Sequence, residues 1–442
     1  MIEKILNNRF LIIGIHIALG FLVTVLPIAK IYSLLFFIVG VLIIYKSKNK
    51  NEEAFYLASY LVGTEVFMRM SNAAILYETG KYGLILFILM GLFLGPVRQK
   101  STVSFLVYIL FLLIGIVFTQ VPMGESIRKA IVFNLSGPLT LGVFAFYCYN
   151  RTISITQLKE LLFFCLLPMF SMISYIYFRT PNLEELVFNA QSNFDTSGGF
   201  GPNQVATMLG FGVFILGVFL FVRVKISVYI FLDGIFLAYF IYRGLLTFSR
   251  GGMITAAIGF ASFAFFMFLF NRVTLVKISK YIFITIILFF GIWLYTSNVT
   301  GGMIDNRYAN KNSSGVAKKD ISAGRTKIID SQLNSFYESP IFGIGVGNGK
   351  YKRLESGKKI TAASHNEVSR LIEEHGLLGV ISLLILLIMP IRNIYFGNNY
   401  QRAFLSAFYI FWFLTINHSA MRIAFPAFVY GLSLIRIVPD EE

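Results

Sequence analysis

The chain has 442 residues, of which 56% are hydrophobic and 14% charged. Soluble domains carry about 25% charged residues, so the composition is that of an integral membrane protein. A formal charge of +16 would suggest a nucleic-acid partner in a soluble chain; here the Lys and Arg read as topology signals, and no nucleic acid is expected. Phe (47) and Tyr (23) fit lipid contact and interfacial belts. The two cysteines, Cys148 and Cys165, lie in apolar runs, so no disulfide can staple a polar loop.

In chain order the sequence predicts about fourteen hydrophobic segments at roughly twenty residues per span. Residues 10–29 are too long for a signal-peptide core and lack a cleavage site, which makes them a retained anchor. Segments follow at 31–45, 54–70, 82–96, 102–119, 129–149 and 161–178. The third is interrupted by Glu65 and Arg69. Next come 203–222, 226–246, 252–270 and 281–297, then one long polar stretch, 298–375. Segments at 376–391, 403–417 and 420–437 close the chain. No repeat or low-complexity tract stands out. The expected fold class is an all-α polytopic membrane protein with about 12–14 transmembrane helices. Its domain layout is helices in 1–297, an extracytoplasmic loop in 298–375 and helices again in 376–442, all in one membrane domain.

Orientation follows from basic residues in short loops. With the N-terminus inside, cytoplasmic loops carry Lys46/Lys48/Lys50, Arg98/Lys100, Arg151/Lys159, Arg223/Lys225, Arg272/Lys277/Lys280 and Arg392/Arg402. Residues 180–202, on the opposite side, contain no Lys or Arg. If every segment crosses, both termini are cytoplasmic. Arg250 and the 298–375 loop then share the outer face.

Within the loop, residues 325–337 place Ile328, Ile329, Leu333 and Phe336 at helical spacing, which predicts a helix lying apolar side down on the membrane. Ser339-Pro340 stops it. Gly343-Ile344-Gly345-Val346-Gly347-Asn348-Gly349 permits tight turns; it is either a structural bend or a ligand-facing backbone. Ser364 with Glu367 reads as a capping box opening the next helix.

That box puts His365 at the first helical position. There the helix dipole disfavours imidazolium, leaving a neutral imidazole suited to general-base work; the alternative is a polar residue decorating a helix start. His375 reads as a C-terminal capping residue of the same helix. His16 falls within a span and His418 near an outer boundary. Arg250 sits between two apolar runs, where a mid-bilayer charge costs about 2.5–3.5 kcal/mol. Its guanidinium suits phosphate, and the two glycines after it let the backbone of a neighbouring group approach without side-chain obstruction; the alternative is an interfacial anchor. Arg325, Arg179, Arg243 and Arg307 also fall outside on this topology. Lys318/Lys319 and Lys350/Lys352/Arg353 make the loop mildly basic, favouring an anionic ligand or the headgroup surface. The loop holds no Asp-x-Asp, His-Glu-x-x-His or Cys/His cluster, so no metal site is signalled. There is no Walker loop either. An external enzyme so built needs a substrate that arrives activated, and a lipid-linked pyrophosphate meets that need.

Ser249-Arg250-Gly251-Gly252, Gly324-Arg325, Pro340-x-x-Gly343-x-Gly345, His365-Asn366 and Glu374-x-Gly376 with Gly379 occur in that order. Together they resemble the O-antigen ligase/polymerase family of bacterial membrane glycosyltransferases, over roughly residues 205–390. Many members carry a Trp shortly after the Gly-Arg arginine; this chain reads Ile328, Ile329, Asp330. The resemblance implies a GT-C-like helical fold in the bacterial inner membrane, no metal or other cofactor, and an undecaprenyl-pyrophosphate-linked oligosaccharide donor. It implies His365, Arg250 and Arg325 as catalytic residues. Gly343 and Gly345 join the two arginines in substrate binding. The expected activity is polymerisation of lipid-linked repeat units onto an acceptor glycan at the outer face, with a chain-length regulator as a further partner. The alternative within the family is a ligase that moves the glycan to lipid A-core or another acceptor. A lipid-linked oligosaccharide flippase is the alternative of another class, for which repeat symmetry would be the mark.

Overall fold

A computed structural model describes residues 8–96, 102–180, 182–271, 275–318, 320, 322, 324–355 and 363–440, with side chains omitted for residues 270, 271 and 275–285. The basic residues Arg98, Lys100, Arg272 and Lys319, and the side chains of Lys277 and Lys280, lie outside what is described. Uncharged runs in lipid must satisfy their backbone internally, which leaves helices as the solution. The first half forms α1 (Arg9–Val25), α2 (Ala29–Ser47), α3 (Glu53–Met70), α4 (Thr79–Leu94), α5 (Val103–Val117), α6 (Ile127–Cys148) and α7 (Ile155–Arg179). Asn8, Thr102, Ser126 and Ser154 cap four of these, each side chain accepting a first-turn N–H.

The second half continues with α8 (Pro202–Phe221), α9 (Ile230–Leu246), α10 (Arg250–Asn271) and α11 (Leu275–Val299). The polar stretch supplies α12 (Met303–Tyr308), α13 (Arg325–Glu338) and α14 (Gly349–Glu355). Helices α15 (Glu367–Phe396), α16 (Asn399–His418) and α17 (Phe425–Leu432) follow. Among the described residues, six helices (α2, α6, α7, α8, α10 and α15) are long and apolar enough to cross a membrane. The chain is thus an all-α polytopic membrane protein.

Contacts between the loops that join the helices mark two ends of the bundle. At one, Glu52 pairs with Arg151, Arg9 Nη1 donates to the Lys225 carbonyl (3.4 Å), and β1 (Thr152–Ser154) pairs in parallel with β2 (Arg436–Val438). Several of the basic loops expected to be cytoplasmic gather here. At the other end, the turn before Arg250, the polar stretch and the α16–α17 turn meet: Arg307 Nε donates to the Phe248 carbonyl (2.8 Å) and Ala420 N–H to the His365 carbonyl (3.1 Å).

The third segment is helical as expected, with buried Glu65 paired to Arg69 one turn on (3.0 Å) and Arg69 also reaching Glu78 (3.2 Å). One expectation is corrected. The last segment, 420–437, is not one long helix. Only Phe425–Leu432 is helical; mostly buried turns precede it, and the chain leaves it through a turn into β2. That is tolerated where protein, not lipid, surrounds it: Glu65 Oε2 accepts the Ala424 N–H (2.7 Å) and Asn393 Nδ2 donates to the Leu434 carbonyl (2.8 Å). As expected, the helix after His365 ends at Gly376 (φ 59°), where the backbone leaves helical geometry, and the following span starts from that kink; the two are numbered together as α15. The Pro340–Gly343 turn presses into that break. A Cβ at Gly376 would stand 2.6 Å from the Pro340 carbonyl oxygen, so Gly is required there for space and for conformation.

Candidate active site

Arg250 is placed by a strained turn. Phe248 adopts φ 55°, a costly conformation for a bulky side chain. Thr247 Oγ1 takes the Ser249 N–H (3.1 Å), and Ser249 Oγ donates to Asn203 Oδ1 (2.7 Å). The chain then enters α10 with Arg250 at its first turn, and Arg250 Nη1 donates to Asn310 Oδ1 from the polar stretch. The glycines beside it are where neighbouring groups, backbone included, approach closely. A Cβ at Gly252 would lie 2.2 Å from the Ala206 carbonyl oxygen on α8, and one at Gly251 would lie 2.4 Å from the His418 ring. They dock α10 onto its neighbours.

Arg307 and Arg325 join Arg250. Burial first, then the charges of Arg250 and Arg325, hold Arg307 below the ordinary guanidinium value; burial and Arg250 do the same to Arg325. Lys318 is lowered by burial, then by Arg307 and Arg250. Among the described residues no carboxylate forms an ion pair with any of the three arginines. The nearby acid on α12, Asp305, is committed to Trp293 Nε1 (2.7 Å) and Ser297. Three guanidiniums without a counter-ion form a site for a multiply charged anion.

His365 stands beside this cluster but not where the capping box put it. The helix starts at Glu367 and its N-cap is Asn366, whose Oδ1 accepts the Ser369 N–H (2.9 Å). Ser364 Oγ instead donates to the Asn366 carbonyl (2.9 Å), and Glu367 pairs with Arg370. His365 therefore precedes the helix. Its imidazole is neutral for a different reason: burial first, then the charges of Arg325 and Arg422, push it down to about 4. Among the described residues no hydrogen bond reaches the ring, and Nδ1 is buried without a partner. A free lone pair on a neutral imidazole is what a general base requires. Because the base form persists above about pH 4, kcat/KM should stay flat from neutrality to below pH 5. An acid limb near the ordinary histidine value of 6.5 would assign the proton transfer to another group.

Residues given little weight in the sequence complete the site. His418 packs on Gly251, and its Nε2 meets Thr207 Oγ1 (3.3 Å). Arg422 Nη2 donates to the Ser364 carbonyl (2.8 Å), and Asn366 Nδ2 to Asn417 Oδ1 (2.9 Å). The α16–α17 turn thus fixes the His365 backbone. No sequence pattern marks these contacts, which join residues far apart in the chain. His375, read as a C-terminal capping residue, is buried against Gly115 next to the Gly376 kink. His16 is bonded to the Ile12 carbonyl (2.8 Å) and Tyr60 hydroxyl (3.1 Å) within the first helices, away from the site. Arg243 is buried on Thr180 (2.7 Å) as a structural tie.

Helix α13 forms as expected and stops at Ser339, but its buried face is polar. Ile328 turns inward with Ser331, Gln332 and Ser335, while Leu333 and Tyr337 face outward. Gln332 Nε2 donates to Glu373 Oε2 (2.8 Å), and its Oε1 accepts from Ser369 (2.7 Å). The glycine run is a bend: Gly343, Gly345 and Gly347 have φ of 71°, 87° and 80°. The Gly343 N–H donates to Ser339 (3.1 Å) and the Gly345 N–H to the Glu374 carbonyl (3.1 Å), so both donors are spent within the protein. Beyond them, Gly347 and Gly349 border an open cavity of about 240 Å³.

Residues 235–384 match the family described as O-Antigen ligase, which agrees with the resemblance carried by the motifs. The match takes in Arg250, Arg325, Gly343, Gly345 and His365 and covers about a third of the chain. It supports a glycosyltransferase-type enzyme acting on lipid-linked glycan in a membrane. No curated protein and no solved structure matches the chain.

Proposed function

We propose that the protein is a polymerase of lipid-linked oligosaccharide repeat units, working by inverting transfer at the outer face of the bacterial inner membrane with both termini cytoplasmic. The observation that carries this reading is the meeting of three unneutralised arginines with one neutral, unpartnered histidine. His365 takes the proton of an acceptor sugar hydroxyl. The resulting oxygen attacks the anomeric carbon of the donor from the face opposite the pyrophosphate. The bond from that carbon to the phosphate oxygen breaks, and undecaprenyl pyrophosphate leaves carrying the negative charge. Arg250 and Arg325, with Arg307 alongside, stabilise that charge as it develops, in a partly buried site where such interactions are strong. His365 then gives its proton to water. Gly343 and Gly345 act on the substrate indirectly, by shaping the wall of the site.

A ligase would use the same groups with a different acceptor, and the name of the matched family favours that second reading. Purified protein given one defined lipid-linked repeat separates the two. A ladder of lengthened, lipid-linked products is expected of the polymerase, and it should survive EDTA because the arginines supply the positive charge. Transfer that occurs only after a separate glycolipid acceptor is added indicates the ligase. No transfer under either condition removes the enzymatic reading.

A further inference from the structure

The lining of the cavity beyond the glycine run includes none of Arg250, Arg307 and Arg325. It does include Ser364, the residue before His365, and Gln332, Glu373, Lys129 and Tyr351. Its character differs from that of the arginine cluster: acids and bases alternate here, and most are already paired. Arg370 is held by Glu367 and Glu374, and Arg353 Nη1 lies 4.0 Å from Glu373 Oε2. One acceptor oxygen on this lining is left over. Glu373 is 1% exposed, and its Oε2 receives Gln332 Nε2 (2.8 Å), yet its Oε1 has no hydrogen-bond partner. The Ser335 hydroxyl lies within reach of the Glu373 carboxylate and donates to the Ser331 carbonyl (3.1 Å). A buried acceptor left unsatisfied costs about 1–3 kcal/mol, and more when charged. Such an atom on a cavity wall is a place prepared for a donor from outside.

We propose that this cavity is the acceptor-sugar subsite and that Glu373 Oε1 accepts a hydrogen bond from a hydroxyl of the sugar ring. The proposal rests on the glycosyl-transfer reading above and assigns the acceptor to a place that the reading leaves open. A neutral sugar fits because it brings donors without a charge to be matched. A phosphate belongs with the arginines, where no carboxylate repels it. At about 240 Å³ the cavity is smaller than the roughly 300–1,000 Å³ of drug-sized sites, so it takes about one ring, with the rest of the chain leaving by the mouth. That mouth is formed by Glu125, Ser126 and Lys129 at the start of α6, all exposed, facing Tyr351. Gln332 links the subsite to the base. One amide arm holds Glu373, and the other accepts the hydroxyls of Ser369 (2.7 Å) and Ser364 (3.4 Å). It is a positioning residue that fixes the sugar-binding carboxylate relative to the histidine.

The test measures binding on the full-length, detergent-solubilised protein, so it does not depend on turnover. One probe is the oligosaccharide released by mild acid from the host strain's own lipid-linked repeat. The other is undecaprenyl pyrophosphate. Glu373→Gln keeps the shape and removes half the acceptor capacity; it should weaken oligosaccharide binding tenfold or more and leave pyrophosphate binding within threefold. Lys129→Trp, at an exposed position, should block the mouth with the same selective loss, and it decides the matter if Glu373→Gln does not fold. Oligosaccharide binding within threefold of the parent in the informative variant overturns the proposal. Equal loss of both ligands also overturns it, because Glu373 would then be structural. If both variants behave as expected while no ladder forms, the subsite stands and the polymerase reading falls.

Discussion

Arg250→Ala should lower turnover by about 10²–10³-fold, the range seen when one preorganised donor is removed from a developing negative charge. Arg250 is the guanidinium that both Arg307 and Arg325 feel, so it is the hub of the cluster. Losing it removes one donor to the leaving pyrophosphate and also reduces like-charge repulsion in the empty site. The fold should therefore be unharmed or slightly steadier, the usual trade between activity and stability at a charged site. Arg250→Lys should recover little, since an ammonium cannot make the paired hydrogen bonds of a planar guanidinium. The measurement is product formation from a defined lipid-linked repeat, alongside thermal melting in detergent. Turnover within threefold of the parent would remove Arg250 from the mechanism. Loss of activity together with a large drop in melting temperature would make it a structural residue.

Arg370→Ala should act on the fold. Arg370 is buried between Glu367 and Glu374, and Glu374 Oε1 also receives the Gly347 N–H (3.0 Å). Removing the cation leaves two buried carboxylates without compensation, a change that typically costs about 3–5 kcal/mol. The damage should spread to the glycine bend through Glu374 and to the start of α15 through Glu367, one residue after the cap that follows His365. The triple change Arg370→Leu with Glu367→Gln and Glu374→Gln should recover most of the folded protein, because the group is then removed as a unit. Melting and size-exclusion profiles of the single and triple variants are the readout. An intact single variant would show that the buried trio is not what holds this end together.

The helical crossings were legible because an uninterrupted apolar run in lipid has few backbone solutions, and run length alone marks it. The last crossing was not. Its apolar content is the same, but eight helical residues flanked by irregular backbone depend on Glu65 and Asn393, which come from other helices. Arg250, Arg325 and His365 were legible as chemistry, and they fall at one end of the molecule. The local start of the His365 helix was misread because Ser364 and Asn366 are both good caps. Gln332 and the Arg422 contact engage Ser364 elsewhere, and only tertiary structure supplies them. The face that α13 turns to the protein was not legible for a similar reason. Ser369 and Glu373 on α15 offer a polar face, so Gln332 turns toward them. His418, Arg422, Gln332 and Glu373 enter the site from distant parts of the chain, and a single sequence holds no record of those approaches.

The final pass sets an order of assembly. A segment whose shoulders lack helical bonding cannot rest alone among acyl chains, where each exposed peptide group costs several kcal/mol. Residues 420–437 must slide into a slot whose walls, with the Glu65 carboxylate and the Asn393 amide, already stand. His365 and Ser364 receive their ties to Ala420 and Arg422 only once that segment is in place, so the end of the molecule that carries His365 is completed by it.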